Sequence, residues 1–223
     1  MATMIVRQKD LAYSEAERKP SPMPRRITLL FSLILLVLAI AIGGISLLMR
    51  APTGGSGSGE ALVGGPFSLT DHTGKRVTEK DFAGRYMLIF FGYTFCPDFC
   101  PTELQVMTAA IDSMGEAGNA IQPIFISIDP ERDTPAVLAS YVPNFGPRLI
   151  GLTGTPEEIA AVARAYRVYY GKAAKSDSQD YLMDHSTTIY LMGPDGRFVK
   201  HFNYTTDAPK LAVDLKEALT TSP

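Results

Sequence analysis

The two cysteines of the chain, Cys96 and Cys100, lie four positions apart. They follow a continuous apolar and aromatic run, residues 86–93, and precede a segment with helical spacing, so we expect them between a buried strand and the first turn of a helix. Both sulfurs can then face one side, where helix N–H groups favour the thiolate and the carboxylate of Asp98 opposes it. The pair predicts accessible thiols, suited to redox exchange or to a soft metal ion.

A purely structural disulfide is the simpler interpretation of Cys96 and Cys100. Closing so short a loop stabilises a protein by only about 2 kcal/mol in the chain-entropy model, and a longer loop would give more. Stability alone is therefore a weak reason for this spacing, and the pattern favours a functional pair.

A histidine far along the chain bears on the choice between redox exchange and metal binding. His185 lies in Asp184-His185-Ser186, just before a predicted strand, where a thioredoxin-like fold would turn it toward the cysteines. Two thiolates and an imidazole form a soft ligand set suited to Cu(I) and acceptable to Cu(II). Structural zinc usually takes four protein ligands, and no convincing fourth is present. A lone histidine can also simply end a strand by bonding to the backbone.

Several charged residues could support this site. Asp129, Arg132 and Asp133 follow a second buried strand, where they could orient the metal loop or form a surface for a partner. Helix capping and a local ion pair explain the same residues without any functional role. Asp184 is a candidate hydrogen-bond acceptor that would orient His185.

The apolar periodicity and the turn signals predict an α/β domain. Strands are expected at residues 67–70, 75–77, 86–93, 124–128, 149–152, 188–192 and 197–202, and helices at 102–114, 134–141, 155–166 and 209–219. Thr155 and Glu158 form a capping box at the start of the third helix. Alternating strands and helices that end in a hairpin and a helix indicate a mixed α/β sandwich, a central sheet flanked by helices.

The N-terminal part predicts a membrane anchor. Residues 27–49 carry no charge over 23 positions, enough for a helix to cross about 30 Å of hydrocarbon. Basic residues are concentrated in the tail 1–26, so this tail should stay inside the cytoplasm and the C-terminal domain should lie outside. The apolar segment is too long for a typical signal peptide and lacks a small-residue cleavage site, which favours an anchor over cleavage.

The remaining chain divides into a tether and one domain. Residues 50–63 are rich in Gly and Ser and predict a flexible linker, and residues 64–223 form the predicted domain. The net charge of -2 and the lack of a basic cluster in that domain exclude a nucleic-acid-binding face.

Three motifs in this order identify a family resemblance. They are Gly92-Tyr93-Thr94-Phe95-Cys96-Pro97-Asp98-Phe99-Cys100-Pro101, Ser127-Ile128-Asp129-Pro130-Glu131-Arg132-Asp133-Thr134-Pro135 and Asp184-His185-Ser186. With these motifs the chain resembles the Sco/SenC family, membrane-anchored copper-binding proteins with a thioredoxin-like fold that serve assembly of the CuA centre of cytochrome c oxidase. The resemblance covers almost everything from residue 64 onward, and the anchoring helix.

The resemblance implies a copper chaperone rather than an enzyme. It implies that Cys96, Cys100 and His185 bind copper as Cu(I), Cu(II) or both, and that a Cys96–Cys100 disulfide is the oxidised, metal-free form. The implied partners are the CuA-bearing oxidase subunit and other copper chaperones or thioredoxin-like reductants. The expected location is the bacterial inner membrane with the domain in the periplasm. The mitochondrial inner membrane has an equivalent topology and is the less favoured alternative, because the chain lacks the Arg-rich, Ser-rich segment typical of mitochondrial import.

Two alternatives use the thiols without copper. A thiol-disulfide oxidoreductase would keep the oxidase cysteines reduced, although thioredoxin-type reductases carry a cis-proline where Ser186 stands here and have C-x2-C rather than C-x3-C spacing. A peroxidase would use Cys96 as the attacking thiolate and Cys100 as the resolving thiol.

Overall fold

The computed structural model describes residues 29–30, 33–40, 63–173 and 181–221. Of the predicted anchor, it describes 29–30 and 33–40, which are helical; the remainder of the anchor, the tail 1–26 and the linker 50–62 lie outside the described residues. Within the described ranges, no helix combines the length and the apolar character needed to cross a membrane. Contacts divide the chain into two units, Met1–Gly59 and Glu60–Pro223, and the second contains the fold described below.

Nine strands are present in the second unit as described. They are β1 (Ser68–Asp71), β2 (Arg76–Thr78), β3 (Tyr86–Gly92), β4 (Ile121–Ser127), β5 (Ile150–Thr153), β6 (Tyr170–Lys172), β7 (Met183–His185), β8 (Thr188–Met192) and β9 (Phe198–Asn203). Seven of them form one sheet in the order β2-β1-β5-β4-β3-β8-β9, while β6 and β7 form a separate two-stranded sheet. The large sheet is mixed, because β3, β4 and β5 are parallel and the other pairings are antiparallel.

Among the described residues of this unit, four α-helices accompany the sheet: α1 (Phe99–Ser113), α2 (Pro135–Tyr141), α3 (Pro156–Ala165) and α4 (Ala208–Thr221). The predicted starts of α2 and α3 are confirmed. The side chain of Thr134 accepts a hydrogen bond from the backbone N–H of Val137, and Thr155 and Glu158 form the predicted capping box. These caps satisfy N–H groups that have no partner within the helix.

The centre of the sheet explains why its strands read as continuous apolar runs. All seven residues of β3 and all seven of β4 are buried, as expected of parallel strands covered on both faces. Helix α1 packs against α4 and contacts both strands. The expected thioredoxin-like α/β architecture is confirmed.

The strand directions bring three distant segments to one edge of the sheet. Strands β3 and β4 run parallel, so the segments that follow Gly92 and Ser127 leave the sheet at the same edge. Strand β8 runs antiparallel to β3, so the residues before Thr188 reach that edge as well. These are the cysteine motif, the Asp129–Asp133 segment and the residues around His185.

The structure differs from the sequence-based prediction in three details. Helix α1 begins at Phe99 rather than at residue 102, which places Cys100 in its first turn. Strand β4 begins at Ile121 rather than at residue 124. The β6–β7 hairpin was not predicted, because three-residue strands are too short to show a period of two and, unlike β2, neither strand lies beside a short turn signal.

Candidate metal and redox site

The cysteines occupy two different environments at the end of β3. Both are free thiols; Cys100 is fully buried in the first turn of α1, whereas Cys96 lies in the preceding loop and is partly exposed. The backbone N–H of Cys100 points at the sulfur of Cys96 at 3.4 Å. The partly exposed sulfur therefore receives a helix N-terminal donor, as the sequence predicted.

The same local structure separates the acidities of the two thiols. Hydrogen bonding from the Cys100 side chain lowers the pKa of Cys96 to about 5, despite burial, and backbone N–H groups of Cys100 and Asp98 add to this effect. The interaction with Cys96, and after it burial, raises the pKa of Cys100 above its ordinary value. At neutral pH the pair thus holds one thiolate and one thiol.

His185 ends strand β7 and directs one ring nitrogen toward the cysteines. Its Nδ1 lies 2.9 Å from the backbone carbonyl oxygen of Ser186. Because a carbonyl oxygen only accepts hydrogen bonds, Nδ1 carries the proton, and in the neutral ring Nε2 keeps its lone pair. The ring packs edge-on against Phe90 and Tyr93, with centroid distances of 6.1 and 5.9 Å.

Of the three predicted ligands, Cys100 contacts both His185 and Cys96. His185 Nε2 lies 3.5 Å from the sulfur of Cys100, and the hydrogen bonding between the cysteines joins Cys96 to Cys100. Across the described part of the chain, no three His, Cys, Asp or Glu side chains already form a group that could hold a metal ion. The donor types suit a soft metal ion, but all three would have to close around it.

Two residues at this site were quoted in the sequence motif without a role. A Cβ atom on Gly92 would come within 2.8 Å of the Cys100 sulfur and 3.0 Å of the Phe125 ring, so only glycine leaves room for the buried thiol. Tyr93 is buried; its side chain helps to lower the pKa of Cys96, and its ring packs edge-on against that of His185. Their positions within an apolar run gave no signal beyond core packing.

The Asp129–Asp133 segment forms the third side of the site. Asp133 is fully buried, and its carboxylate accepts hydrogen bonds from the backbone N–H of Thr94 at 3.0 Å, the Thr94 hydroxyl at 2.5 Å and the Ser127 hydroxyl at 2.6 Å. Burial nevertheless raises its pKa. Asp129 and Arg132 form the local ion pair anticipated from sequence, with Nε 2.5 Å from Oδ2.

The two remaining candidates are exposed. Asp98 is the N-cap residue of α1, yet its side chain makes no capping hydrogen bond; its backbone carbonyl accepts from Thr102 instead. The side chain of Asp184 is exposed, while the Nδ1 of His185 bonds to the carbonyl of Ser186. The acceptor at His185 Nδ1 is therefore the Ser186 carbonyl and not the Asp184 carboxylate considered from sequence.

Comparison with known proteins identifies relatives of this chain. Residues 55–220 match the family model described as SCO1/SenC. A curated relative, named Protein SCO1 homolog, mitochondrial, from Homo sapiens, is 49% identical over 159 residues, which cover 70% of this chain and 53% of the relative. The chain thus spans about half the length of the curated relatives it matches.

Two solved structures are similar over nearly all of their own length. Arabidopsis thaliana ScoI with copper bound is 48% identical with a TM-score of 0.68, and the match covers 72% of this chain and 99% of that one. Bradyrhizobium japonicum ScoI with copper bound is 50% identical with a TM-score of 0.65, covering 70% of this chain and 99% of that one.

Proposed function

The chain belongs to the SCO1/SenC family, and from this premise we propose that it is a copper chaperone that carries one copper ion to the CuA-bearing subunit of cytochrome c oxidase. Copper is bound in the two similar ScoI structures. The observation that carries the proposal to this chain is the position of His185 Nε2, 3.5 Å from the Cys100 sulfur.

The proposed ligands are Cys96, Cys100 and His185. Cys96 is the first point of contact, because it is partly exposed and its pKa of about 5 keeps it a thiolate at neutral pH. Cys100 gives up its proton when the ion is bound, and the lone pair of Nε2 completes the set. Thiolate and imidazole donors are the soft ligands that Cu(I) prefers, and they also accept Cu(II).

The proposed location follows from the apolar segment 27–49. As a single membrane helix with the basic tail 1–26 inside, it would hold the domain outside the cytoplasm, on a tether of residues 50–63. The bacterial periplasm and the mitochondrial intermembrane space are equivalent in this topology, and the human relative bears a mitochondrial name. Either compartment places the domain beside the CuA-bearing subunit.

Thiol-disulfide exchange is the second candidate, favoured by the unequal acidities of the cysteines. In that role the Cys96 thiolate would attack a disulfide of the oxidase subunit, and Cys100 would release the reduced subunit by closing a Cys96–Cys100 disulfide. This chemistry needs both sulfurs but makes no use of the imidazole.

Oxidase assembly in cells that depend on this chain separates the two candidates. Replacing His185→Ala leaves both cysteines intact, so a copper carrier should lose oxidase activity while a reductase should keep it. The matched control is His201→Ala, which removes an exposed histidine on β9. We expect His185→Ala, but not His201→Ala, to abolish oxidase activity at equal protein levels; full activity in both would favour the reductase.

A further inference from the structure

One guanidinium group contacts both segments that carry the proposed ligands. The Cζ atom of Arg132 lies 4.7 Å from the ring centroid of Phe95 and 5.9 Å from that of Tyr93, both in the cysteine segment. It also lies 3.7 Å from the ring centroid of Tyr181, two residues before β7, the strand that ends in His185. Arg132 therefore lies between two parts of the chain that the sequence separates widely.

The position of Arg132 is fixed by a buried carboxylate. Asp129 is 2% exposed, and its Oδ2 accepts from Arg132 Nε at 2.5 Å while its Oδ1 accepts from the Tyr181 hydroxyl at 2.6 Å. The Ser127 hydroxyl in turn accepts from the backbone N–H of Asp129 at 3.0 Å. The carboxylate thus holds both the guanidinium and the tyrosine ring that the guanidinium covers.

A second cation covers Tyr181 from the hairpin itself. Lys172, at the end of β6, has its Nζ 4.3 Å from the centroid of the Tyr181 ring and 2.8 Å from Glu131 Oε2. Both members of this ion pair are more than half exposed, so it adds little stability. The contacts of Arg132 with the buried Asp129 are the stronger attachment.

The hairpin needs such an attachment because it cannot hold its own position. It has two strands of three residues and is separate from the seven-stranded sheet. A two-stranded hairpin is at best marginally stable in water, so its place relative to the cysteines depends on tertiary contacts as well as on the two-residue link from β7 to β8. His185 pairs with Tyr170 within it and moves wherever the hairpin moves.

We infer that Arg132 is a positioning residue, which holds the His185 hairpin against the cysteine segment so that imidazole and sulfurs can close around one ion. The inference rests on the proposed function. It assigns to the Asp129–Arg132 pair a task beyond a local ion pair within one turn. Arginine suits this task because its planar group stacks on several rings while its Nε donates to a carboxylate.

The test combines substitutions at Arg132 and His185 in the full-length reduced chain. Cu(I) affinity is measured by anaerobic competition with a chromogenic chelator for wild type, Arg132→Gln, His185→Ala and the double variant. We expect Arg132→Gln to weaken binding about 10- to 100-fold, the range for residues that orient metal ligands. In the His185→Ala background the same change should cost less than about threefold, because residues that act through one another are not additive.

Two further variants serve as comparisons. Arg132→Lys should behave like Arg132→Gln, since an ammonium group lacks the planar stacking surface. Arg76→Gln is the matched control: it breaks a comparable pair, with Arg76 Nη2 2.7 Å from Glu158 Oε1, on the outermost strand β2. It should leave copper affinity unchanged. The inference would be overturned if Arg132→Gln weakened Cu(I) binding equally in the wild-type and His185→Ala backgrounds, or if Arg132→Gln left the Cu(I) affinity unchanged.

A measurement without copper separates this inference from the proposed function. The ring resonances of His185 in the reduced, metal-free chain should shift and broaden in Arg132→Gln but not in Arg76→Gln. Tyr181→Phe, which removes one hydroxyl and keeps the ring, gives a milder variant and should shift the same resonances. A wild-type chain that binds no copper would contradict the proposed function alone. Unshifted His185 resonances in both Arg132→Gln and Tyr181→Phe would contradict the positioning role.

Discussion

Replacing Cys100→Ser is expected to abolish high-affinity copper binding. The sulfur of Cys100 is fully buried, and it is the atom that lies 3.5 Å from His185 Nε2. Serine is smaller and fits the space that Gly92 leaves, but its hydroxyl oxygen is a poor ligand for Cu(I). The loss should exceed about a hundredfold, because changes that merely disturb the orientation of a ligand already cost 10- to 100-fold.

Anaerobic competition for Cu(I) measures this loss, and a second buried hydroxyl provides the control. Ala110 is a fully buried residue of the same helix, α1, so Ala110→Ser adds a comparable polar group away from the thiols. Copper affinity should stay at the wild-type level in this control. A Cys100→Ser variant that still binds one copper with wild-type affinity would remove Cys100 from the ligand set.

Replacing Asp133→Ala is expected to lower the free energy of unfolding by about 3–5 kcal/mol, because three hydrogen-bond donors lose their acceptor. These donors are the backbone N–H and the hydroxyl of the partly buried Thr94, and the hydroxyl of the buried Ser127. Each buried polar group left without a partner costs about 1–3 kcal/mol. Thr94 lies between β3 and Cys96, so the cysteine segment should also lose its attachment to the end of β4.

The matched control is a surface carboxylate that, like Asp133, accepts from both the backbone N–H and the hydroxyl of one threonine. Asp81 accepts from the backbone N–H and the hydroxyl of Thr78 at 2.8 and 2.9 Å, but at an exposed position where water can replace it. Asp81→Ala should therefore cost about 1 kcal/mol. The chain has no tryptophan, so urea denaturation is best followed by far-UV circular dichroism. Equal losses in the two variants would contradict the account of Asp133.

The sequence predicted those elements whose signals are local. The capping box of Thr155 and Glu158 and the cap at Thr134 depend on residues three apart, and both appear as expected. The buried strands β3 and β4 were recognisable because an uninterrupted apolar run is typical of a strand covered on both faces. Local chemistry was therefore enough to predict the α/β fold.

The parts that could not be predicted depend on contacts between distant segments. Tyr93 was part of an apolar run and Tyr181 carried no signal of its own; only the fold shows that Tyr93 contacts His185 and that Tyr181 bonds to Asp129. Gly92 read as the end of a strand, because its need for space arises from a sulfur in the next helix. Which ring nitrogen of His185 faces the cysteines could not be predicted either, because it depends on the hydrogen bond between Nδ1 and the Ser186 carbonyl.

The central claim is that two sulfurs and one imidazole hold a single copper ion. The most direct measurement is an anaerobic Cu(I) titration of the reduced full-length chain, comparing wild type with His185→Ala and with His201→Ala. The account predicts one tightly bound Cu(I) in wild type and in His201→Ala, and about a hundredfold weaker binding in His185→Ala, at least as large as the loss of a residue that only orients a ligand. Equal affinity in all three proteins would contradict it.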